Sequence, residues 1–228
     1  MLHLPSVSAK SRFVSAMFGR IAQRYDLMNT IMTLGQDEVW RRAVARAIGT
    51  PNTILDVGTG TAKLARALAL RHPGARVVGV DFSEPMLRAS SRSVPLVAAD
   101  ALHLPFADAS FDAVTSAFLV RNLADLRRGL AEQARVLQPG GRLAILETTP
   151  GPRGLLRPLA TMYFRGVVPL LGRVIAGDAA AYTYLPASSA AFAEPESLAD
   201  VLRRTGFTSV EVRRLALGSV ALVSARFR

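Results

Sequence analysis

A doubly wound α/β fold, with a seven-stranded, mostly parallel sheet and helices on both faces, is predicted by three observations. Short apolar runs alternate with helical patterns between residues 52 and 147, the mark of successive βαβ units. The first of those runs, Ile54-Leu55-Asp56-Val57, passes through the glycine turn Gly58-Thr59-Gly60 into a helix start at Thr61-Ala62-Lys63-Leu64-Ala65. Three of the runs end on an acid: Asp56, Asp81 and Asp100.

The elements follow in order. Residues 1 to 50 read as helical, with Val39 to Ile48 closed by Gly49 and Pro51. Strands are predicted at 53–57, 76–80, 95–99, 111–117 and 141–147, with helices near 61–71, 84–92 and 125–137 between them. Residues 148 to 193 break this rhythm, because Pro150, Pro152, Pro158, Pro169 and Pro186 punctuate an apolar stretch carrying Arg153, Arg157, Arg165 and Arg173. A helix at 194–205 then ends at Gly206, and strands at 208–215 and 218–227 form a closing hairpin. One domain over 1–228 is expected: a helical lid (1–50), a core (51–147), an insertion facing substrate or membrane (148–193) and a C-terminal helix and hairpin (194–228).

Composition bounds the function. Half of the 228 residues are hydrophobic, enough for a sizeable core. The chain has no cysteine, which excludes disulfides, thiolate metal sites and cysteine nucleophiles and is compatible with a cytoplasmic location. Its three histidines stand far apart, so no histidine metal site is expected. The formal net charge is +11, and all but two of the 28 basic residues are arginine, the lysines being Lys10 and Lys63. Such a field attracts nucleic acid or an anionic membrane; an arginine-favouring, solvated surface gives the same number. No apolar run approaches the roughly 20 residues of a membrane span. Met1 to Arg24 holds no acid, as in transit peptides, but the helical spacing of Phe13, Val14, Met17, Phe18 and Ile21 predicts a short tail followed by a docking helix.

The glycine turn and the three acids specify a cofactor. In a doubly wound sheet a ligand sits beyond the C-terminal ends of the strands, where strand order reverses. Gly58 and Gly60 let it approach the backbone, and the helix start offers free N–H groups. The carboxylate of Asp56 repels a pyrophosphate and attracts a sulfonium, which favours S-adenosylmethionine over a dinucleotide. A dinucleotide site also expects a third glycine where Lys63 stands. Asp81 suits a ribose hydroxyl pair. Asp100 suits an adenine amino group, with the backbone of Ala101 against the ring edge. The structural alternatives are a tight turn and helix caps.

These residues carry a resemblance. The chain resembles the ubiquinone/menaquinone biosynthesis C-methyltransferases from Met17 onward. The matching segments include Tyr25-Asp26-x-Met28-Asn29, Leu55-Asp56-Val57 with Gly60-Thr61, Asp81-Phe82-Ser83 with Met86-Leu87, and Asp100-Ala101 with Leu104-Pro105-Phe106. They continue with Arg121-Asn122, Pro139-Gly140-Gly141 and Tyr182-x-Tyr184-Leu185-Pro186. The Tyr25 block, Arg121-Asn122 and the Tyr182 segment are the most specific of these. The resemblance implies a class I S-adenosylmethionine-dependent methyltransferase, with cofactor contacts at Thr61, Asp81, Phe82, Asp100 and Ala101 beside Asp56, Gly58 and Gly60. It implies a demethylated polyprenyl quinol as acceptor, menaquinol ahead of the ubiquinol precursor. The family pattern of Gly-Asp after the threonine reads Ala62-Lys63 here, its strand-four serine reads Ala117, and its Gly-Leu-Arg-Asn reads Leu119-Val120-Arg121-Asn122. An ammonium about 6 Å from a sulfonium would cost about 3 kcal/mol at an effective dielectric near 20, so the Lys63 side chain is expected to point to solvent.

Ring-carbon methylation requires a hydroxyl to become a phenolate. Arg121 is a candidate to hold that oxygen and Asn122 to orient it; a strand-end cap paired with Asp125 is the structural alternative. Asp26 is a candidate base and Tyr25 a stacking wall, against plain helix packing for both. Tyr182 and Tyr184 are candidates to line a quinol pocket, or simply to fill space. Leu155, Leu156, Leu159, Met162, Tyr163 and Val167, with Arg153, Arg157 and Arg165 among them, have the spacing of a basic amphipathic helix. That helix suits an anionic membrane, a lid or a homodimer contact. Rival functions are methylation of another phenol or polyketide, a nucleic-acid methyltransferase and a non-catalytic scaffold. Nucleic acid is not expected as a partner, because the chain lacks an Asn-Pro-Pro-Tyr-type motif and base-stacking aromatics are sparse.

Overall fold

The computed structural model describes residues 7–150, 162–176 and 178–228. The expected N-terminal tail and the expected helix positions Arg153, Leu155, Leu156, Arg157 and Leu159 lie outside them. Seven strands form one sheet: β1 (Thr53–Val57), β2 (Arg76–Asp81), β3 (Leu96–Ala98), β4 (Phe111–Ala117), β5 (Leu137–Thr148), β6 (Phe207–Leu215) and β7 (Val220–Phe227). Their order is β3-β2-β1-β4-β5-β7-β6. The first five are parallel and β7 is antiparallel to both β5 and β6. Strand order therefore reverses between β1 and β4, and the crevice that a doubly wound sheet offers to a ligand opens there.

The register places polar groups at that crevice. Asp56 pairs with Gly79 on one side and Thr115 on the other, and Val57 with Val80 and Ser116. Below this level the strands are apolar on both faces, as parallel strands covered twice must be. Leu55, Val114, Leu143 and Ile145 are fully buried in one layer, and Ile54, Ala113, Ala144 and Leu146 in the other. Each large aliphatic side chain so buried contributes roughly 1.5–3 kcal/mol.

The covering helices are α1 (Val7–Met32), α2 (Gln36–Ala47), α3 (Lys63–Arg71), α4 (Glu84–Arg88) and α5 (Leu126–Val136). They are followed by α6 (Val168–Leu171), α7 (Ala179–Ala191) and α8 (Pro195–Arg204). The Asp125 side chain caps α5 by accepting from the Arg128 N–H at 3.0 Å, so it is spent on the helix, not on Arg121. Helix α8 starts with Pro195 in its first turn, buries Leu198, Ala199 and Leu202 at helical spacing, and is followed by Gly206 at φ +95°. Helix α3 begins two residues later than the spacing predicts, because Ala62 adopts a left-handed conformation, φ +64°. Helix α4 stops at Arg88 instead of 92, and Arg92 itself has φ +48°.

The insertion is helical where it is described. Helix α6 lies between two π-helical turns, Tyr163–Val167 and Gly172–Ala176, and α7 follows. Val168, Ala181 and Tyr182 bury against Met17, Ile21 and Met28 of α1. The N-terminal helix and the insertion thus share a small core of their own beside the crevice. Among the described residues, no helix is long and apolar enough to cross a membrane.

Candidate active site

A cleft of about 830 Å³, open to solvent, lies at the C-terminal ends of β1 to β4. Its floor is Val57, Gly58 and Gly60. One wall is Asp81, Phe82, Ser83 and Met86, and its far end runs from Ala99 to Leu102. Ala117, Phe118, Leu119 and Asn122 form the opposite wall, and Val14, Ser15, Phe18 and Tyr25 of α1 form the roof. Of the residues expected from the sequence, Gly58, Gly60, Asp81, Phe82, Asp100, Ala101, Tyr25 and Asn122 line this one space.

The glycine turn is built from both sides. The Gly58 and Thr59 N–H groups donate to the Val80 carbonyl at 2.8 and 2.9 Å. The Gly60 N–H donates to Asp81 Oδ2, and the Ser83 N–H to Oδ1, each at 2.8 Å. Burial raises the Asp81 pKa, and these backbone donors work against that rise. Gly58 has φ +70°, and a Cβ there would stand 2.8 Å from Leu119 Cδ1. Leu119, where the family pattern has glycine, thus fills the space above the turn. The left-handed residue of this stretch is instead Phe118, φ +58°, which carries backbone strain of about 1–2 kcal/mol at the cleft wall.

Asp56 stands behind the turn and not in the cleft lining. It is 1% exposed and accepts from the Thr59 hydroxyl at 2.7 Å and the Thr115 hydroxyl at 2.8 Å. Burial pushes its pKa up to about 6 despite both hydroxyls. Thr61 is also outside the lining; its hydroxyl donates to Asp26 Oδ1 at 2.6 Å. Asp26 therefore docks α1 on the start of α3, and this geometry favours the packing alternative over a base facing the cleft.

Lys63 does not point to solvent as its helical position suggests. Its ammonium donates to the Asp26 carbonyl at 3.3 Å and the Thr30 hydroxyl at 3.2 Å, and lies 3.8 Å from Asp37 Oδ2. Asp37, 4% exposed, also accepts from Arg41 at 2.5 Å. Burial alone would raise the Asp37 pKa, but Arg41, Lys63 and Thr33 together hold it below the usual carboxylate value. The lysine is absorbed into the joint between α1, α2 and α3, facing a carboxylate.

The remaining expected residues gather next to Asn122. Arg121 and Asn122 lie on a 3₁₀ turn, Val120–Asn122, and both are buried. The Arg121 Nη1 donates to Glu147 Oε1, and its guanidinium carbon lies 5.8 Å from the Phe118 ring centre. Glu147, at the end of β5, was not singled out by the sequence reading. The Tyr184 hydroxyl donates to Asn122 Oδ1 at 3.3 Å, and its ring meets Phe13 edge-on at 5.7 Å. Burial raises the Tyr184 pKa and Arg121 opposes it. Tyr25 packs edge-on against Phe18 at 5.6 Å, with its pKa raised by burial. Tyr182 is wholly buried under α1; burial also raises its pKa, and its hydroxyl has no hydrogen-bond partner among the described residues. Among the described residues, no three His, Cys, Asp or Glu side chains cluster to hold a metal.

The cleft fits S-adenosylmethionine. Gly58 and Gly60 line the floor without side chains, Asp81 keeps acceptor capacity for ribose hydroxyls, and Asp100, accepting from the Leu102 N–H at 2.9 Å, lines the far end. A doubly wound sheet of this order, with a glycine turn and three strand-end acids around the crevice, defines a class I S-adenosylmethionine-dependent methyltransferase. The solved S-adenosylmethionine-dependent methyltransferase of Thermotoga maritima, described as a possible histamine N-methyltransferase, superposes with a TM-score of 0.68 at 18% identity, covering 93% of this chain and 99% of that one. At that identity the likeness concerns the fold.

Sequence comparison narrows the class. The ubiE/COQ5 methyltransferase family profile matches residues 6–226, and the chain belongs to that family. It is 47% identical over 218 residues to a demethylmenaquinone methyltransferase of Deinococcus radiodurans, covering 92% of this chain and 90% of that protein. It is 44% identical over 223 residues to a ubiquinone/menaquinone biosynthesis C-methyltransferase, UbiE, of Desulfotalea psychrophila, covering 95% and 91%.

Proposed function

We propose that this chain methylates a ring carbon of demethylmenaquinol, with S-adenosylmethionine as donor. The observation that carries this reading is the junction at Asn122. Its side chain lines the cofactor cleft and is bonded by Tyr184, while its neighbour Arg121 brings a guanidinium to the same turn. The similarity to demethylmenaquinone methyltransferases over nine-tenths of the chain supports the same acceptor.

The donor, when bound, supplies a methyl group on a good leaving group. The chain has to orient the acceptor, exclude water and stabilise a phenolate. Arg121 holds the acceptor oxygen by a charge-assisted hydrogen bond, and Asn122 orients it. Tyr184 fixes the Asn122 amide, and Tyr25 walls the space between donor and acceptor. Tyr182 supports this wall from below through the core it shares with α1. Asp81 and Asp100 hold the ribose and adenine, and Phe82, Ala101, Gly58 and Gly60 shape the surface between them. Asp56, Thr61 and Asp26 act on the turn and on α1.

The acceptor is a lipid, and we propose that the protein meets it at an anionic membrane surface. Met162, Val167, Leu170 and Val174 expose large apolar side chains along one segment of the insertion. From Thr148 to Gly177 there is no Asp or Glu, and from Met1 to Tyr25 there is none either. The two acid-free stretches meet where Arg24 Nη1 donates to the Ile175 carbonyl. An apolar face with basic surroundings matches an anionic bilayer.

Methyl transfer from labelled S-adenosylmethionine tests the reaction. Turnover of demethylmenaquinol in mixed micelles, with product methylated on the ring, is expected. Preferential turnover of simple phenols, or a normal quinone pool in cells lacking the gene, would overturn the assignment.

A further inference from the structure

We propose that Glu147 is a positioning residue whose negative charge lets a guanidinium stand beside a cationic methyl donor. This rests on the reading of Arg121 as the group that holds the acceptor oxygen. S-adenosylmethionine carries a sulfonium, whereas the product S-adenosylhomocysteine carries a neutral thioether. Arg121 lies behind the cleft wall, its guanidinium carbon 5.8 Å from the ring of Phe118, which lines it, and a bare guanidinium there would oppose substrate more than product, the wrong preference for an enzyme that must release its product.

The geometry places a carboxylate where it removes that penalty. Glu147 is the penultimate residue of β5 and is 3% exposed. It grips Arg121 twice: Oε1 accepts from the guanidinium Nη1, and Oε2 accepts from the Arg121 backbone N–H at 3.3 Å. The Thr148 N–H also donates to Oε1, at 2.8 Å. The side chains of the pair are 4% and 3% exposed, so water screens neither charge. The double grip ties the whole 3₁₀ turn, Asn122 included, to the end of β5. The Thr148 hydroxyl continues the tie by donating to Ser189 Oγ at 2.8 Å on α7, the helix that carries Tyr184. Buried ion pairs of this kind need both members, because either charge alone is left without compensation.

The test is the ratio of dissociation constants for S-adenosylmethionine and S-adenosylhomocysteine, measured by calorimetry without acceptor. For charges about 10 Å apart at an effective dielectric near 20, Glu147→Gln should shift that ratio roughly tenfold towards the homocysteine product. Arg121→Gln, which leaves the carboxylate uncancelled, should shift it the opposite way. Glu147→Asp keeps the charge but shortens the arm; it should leave the ratio as in the unaltered protein while lowering kcat at least tenfold. Loss of packing alone would weaken both ligands equally and leave the ratio unmoved. A ratio unchanged in both Glu147→Gln and Arg121→Gln overturns the proposal; if Glu147→Gln does not fold, the Arg121→Gln and Glu147→Asp results decide it. Failure of the underlying reading is separate: Arg121→Gln would then transfer methyl groups at the unaltered rate whatever the ligand ratio does.

Discussion

Asp56 is a carboxyl group held away from water directly beneath the cofactor turn, and its titration should be visible in the stability of the protein. Its folded pKa, about 6, lies above the ordinary value of 3.8. The folded state therefore keeps the proton longer than the unfolded chain does. Below the ordinary value both states are protonated and nothing is lost. As pH rises from about 4 through 6 the unfolded chain ionises freely, the folded chain resists, and stability falls. That difference corresponds to about 3 kcal/mol. Asp56→Asn can still pair with Thr59 and Thr115, so its stability should fall less across this window, as urea unfolding at pH 4.5 and 7 would reveal. A second outcome concerns Arg121→Lys, which keeps the charge but loses the planar fork; methyl transfer should fall at least a hundredfold with cofactor affinity little changed. At this scale the glycine turn, Asp81 and Asp100 were legible because a parallel strand that ends on an acid has few reasons to do so. Glu147 obeys the same rule one strand further along. The sequence predicts a strand at 141–147, and nothing in its neighbours marks Glu147 as the partner of an arginine 26 residues away. Ala62 and Phe118 were not legible as left-handed positions, since neither side chain favours that conformation.

Helix α1 and the insertion are held in place by a few specific contacts. Lys63→Ala removes the tie from α3 to Asp37, Thr30 and the Asp26 carbonyl. The ammonium is a third exposed, so the loss should be only about 1 kcal/mol. It should appear as faster hydrogen exchange over residues 26–32 with little change in the sheet. Gly172→Ala should do more. A Cβ there would lie 2.5 Å from three atoms of the wholly buried Tyr182 side chain. Overpacking of this kind costs about 1–3 kcal/mol, readable as a lower Tm. The alternation of apolar runs and helical patterns made the central strands β1, β4 and β5 legible, because burial on both faces leaves few polar residues to confuse the pattern. The insertion was not legible in the same way. Its Pro and Gly suggested breaks, but the chain stays helical from Tyr163 to Ala176 through Pro169, and Gly172 makes room for a tyrosine.

For the whole molecule the largest asymmetry is one of charge and polarity. The sheet core carries the cofactor machinery, and the acid-free stretch from Thr148 to Gly177 carries four exposed apolar side chains, Met162, Val167, Leu170 and Val174. Vesicles rich in phosphatidylglycerol should co-sediment with the protein, and vesicles of phosphatidylcholine should not. Leu170→Glu with Val174→Glu should abolish the binding and slow turnover of long-chain quinol in vesicles. A stable dimer in solution, broken by the same pair of changes, would assign this face to a second copy instead. The roof of the cleft has one more consequence. Val14, Ser15, Phe18 and Tyr25 all belong to α1, and α1 rests through Asp26 on Thr61 at the foot of the cofactor turn. Whatever affinity the donor draws from that roof, the helix gains in order when the donor binds, because the two are one coupling free energy. Hydrogen exchange over residues 14–32 should therefore slow when S-adenosylmethionine is added.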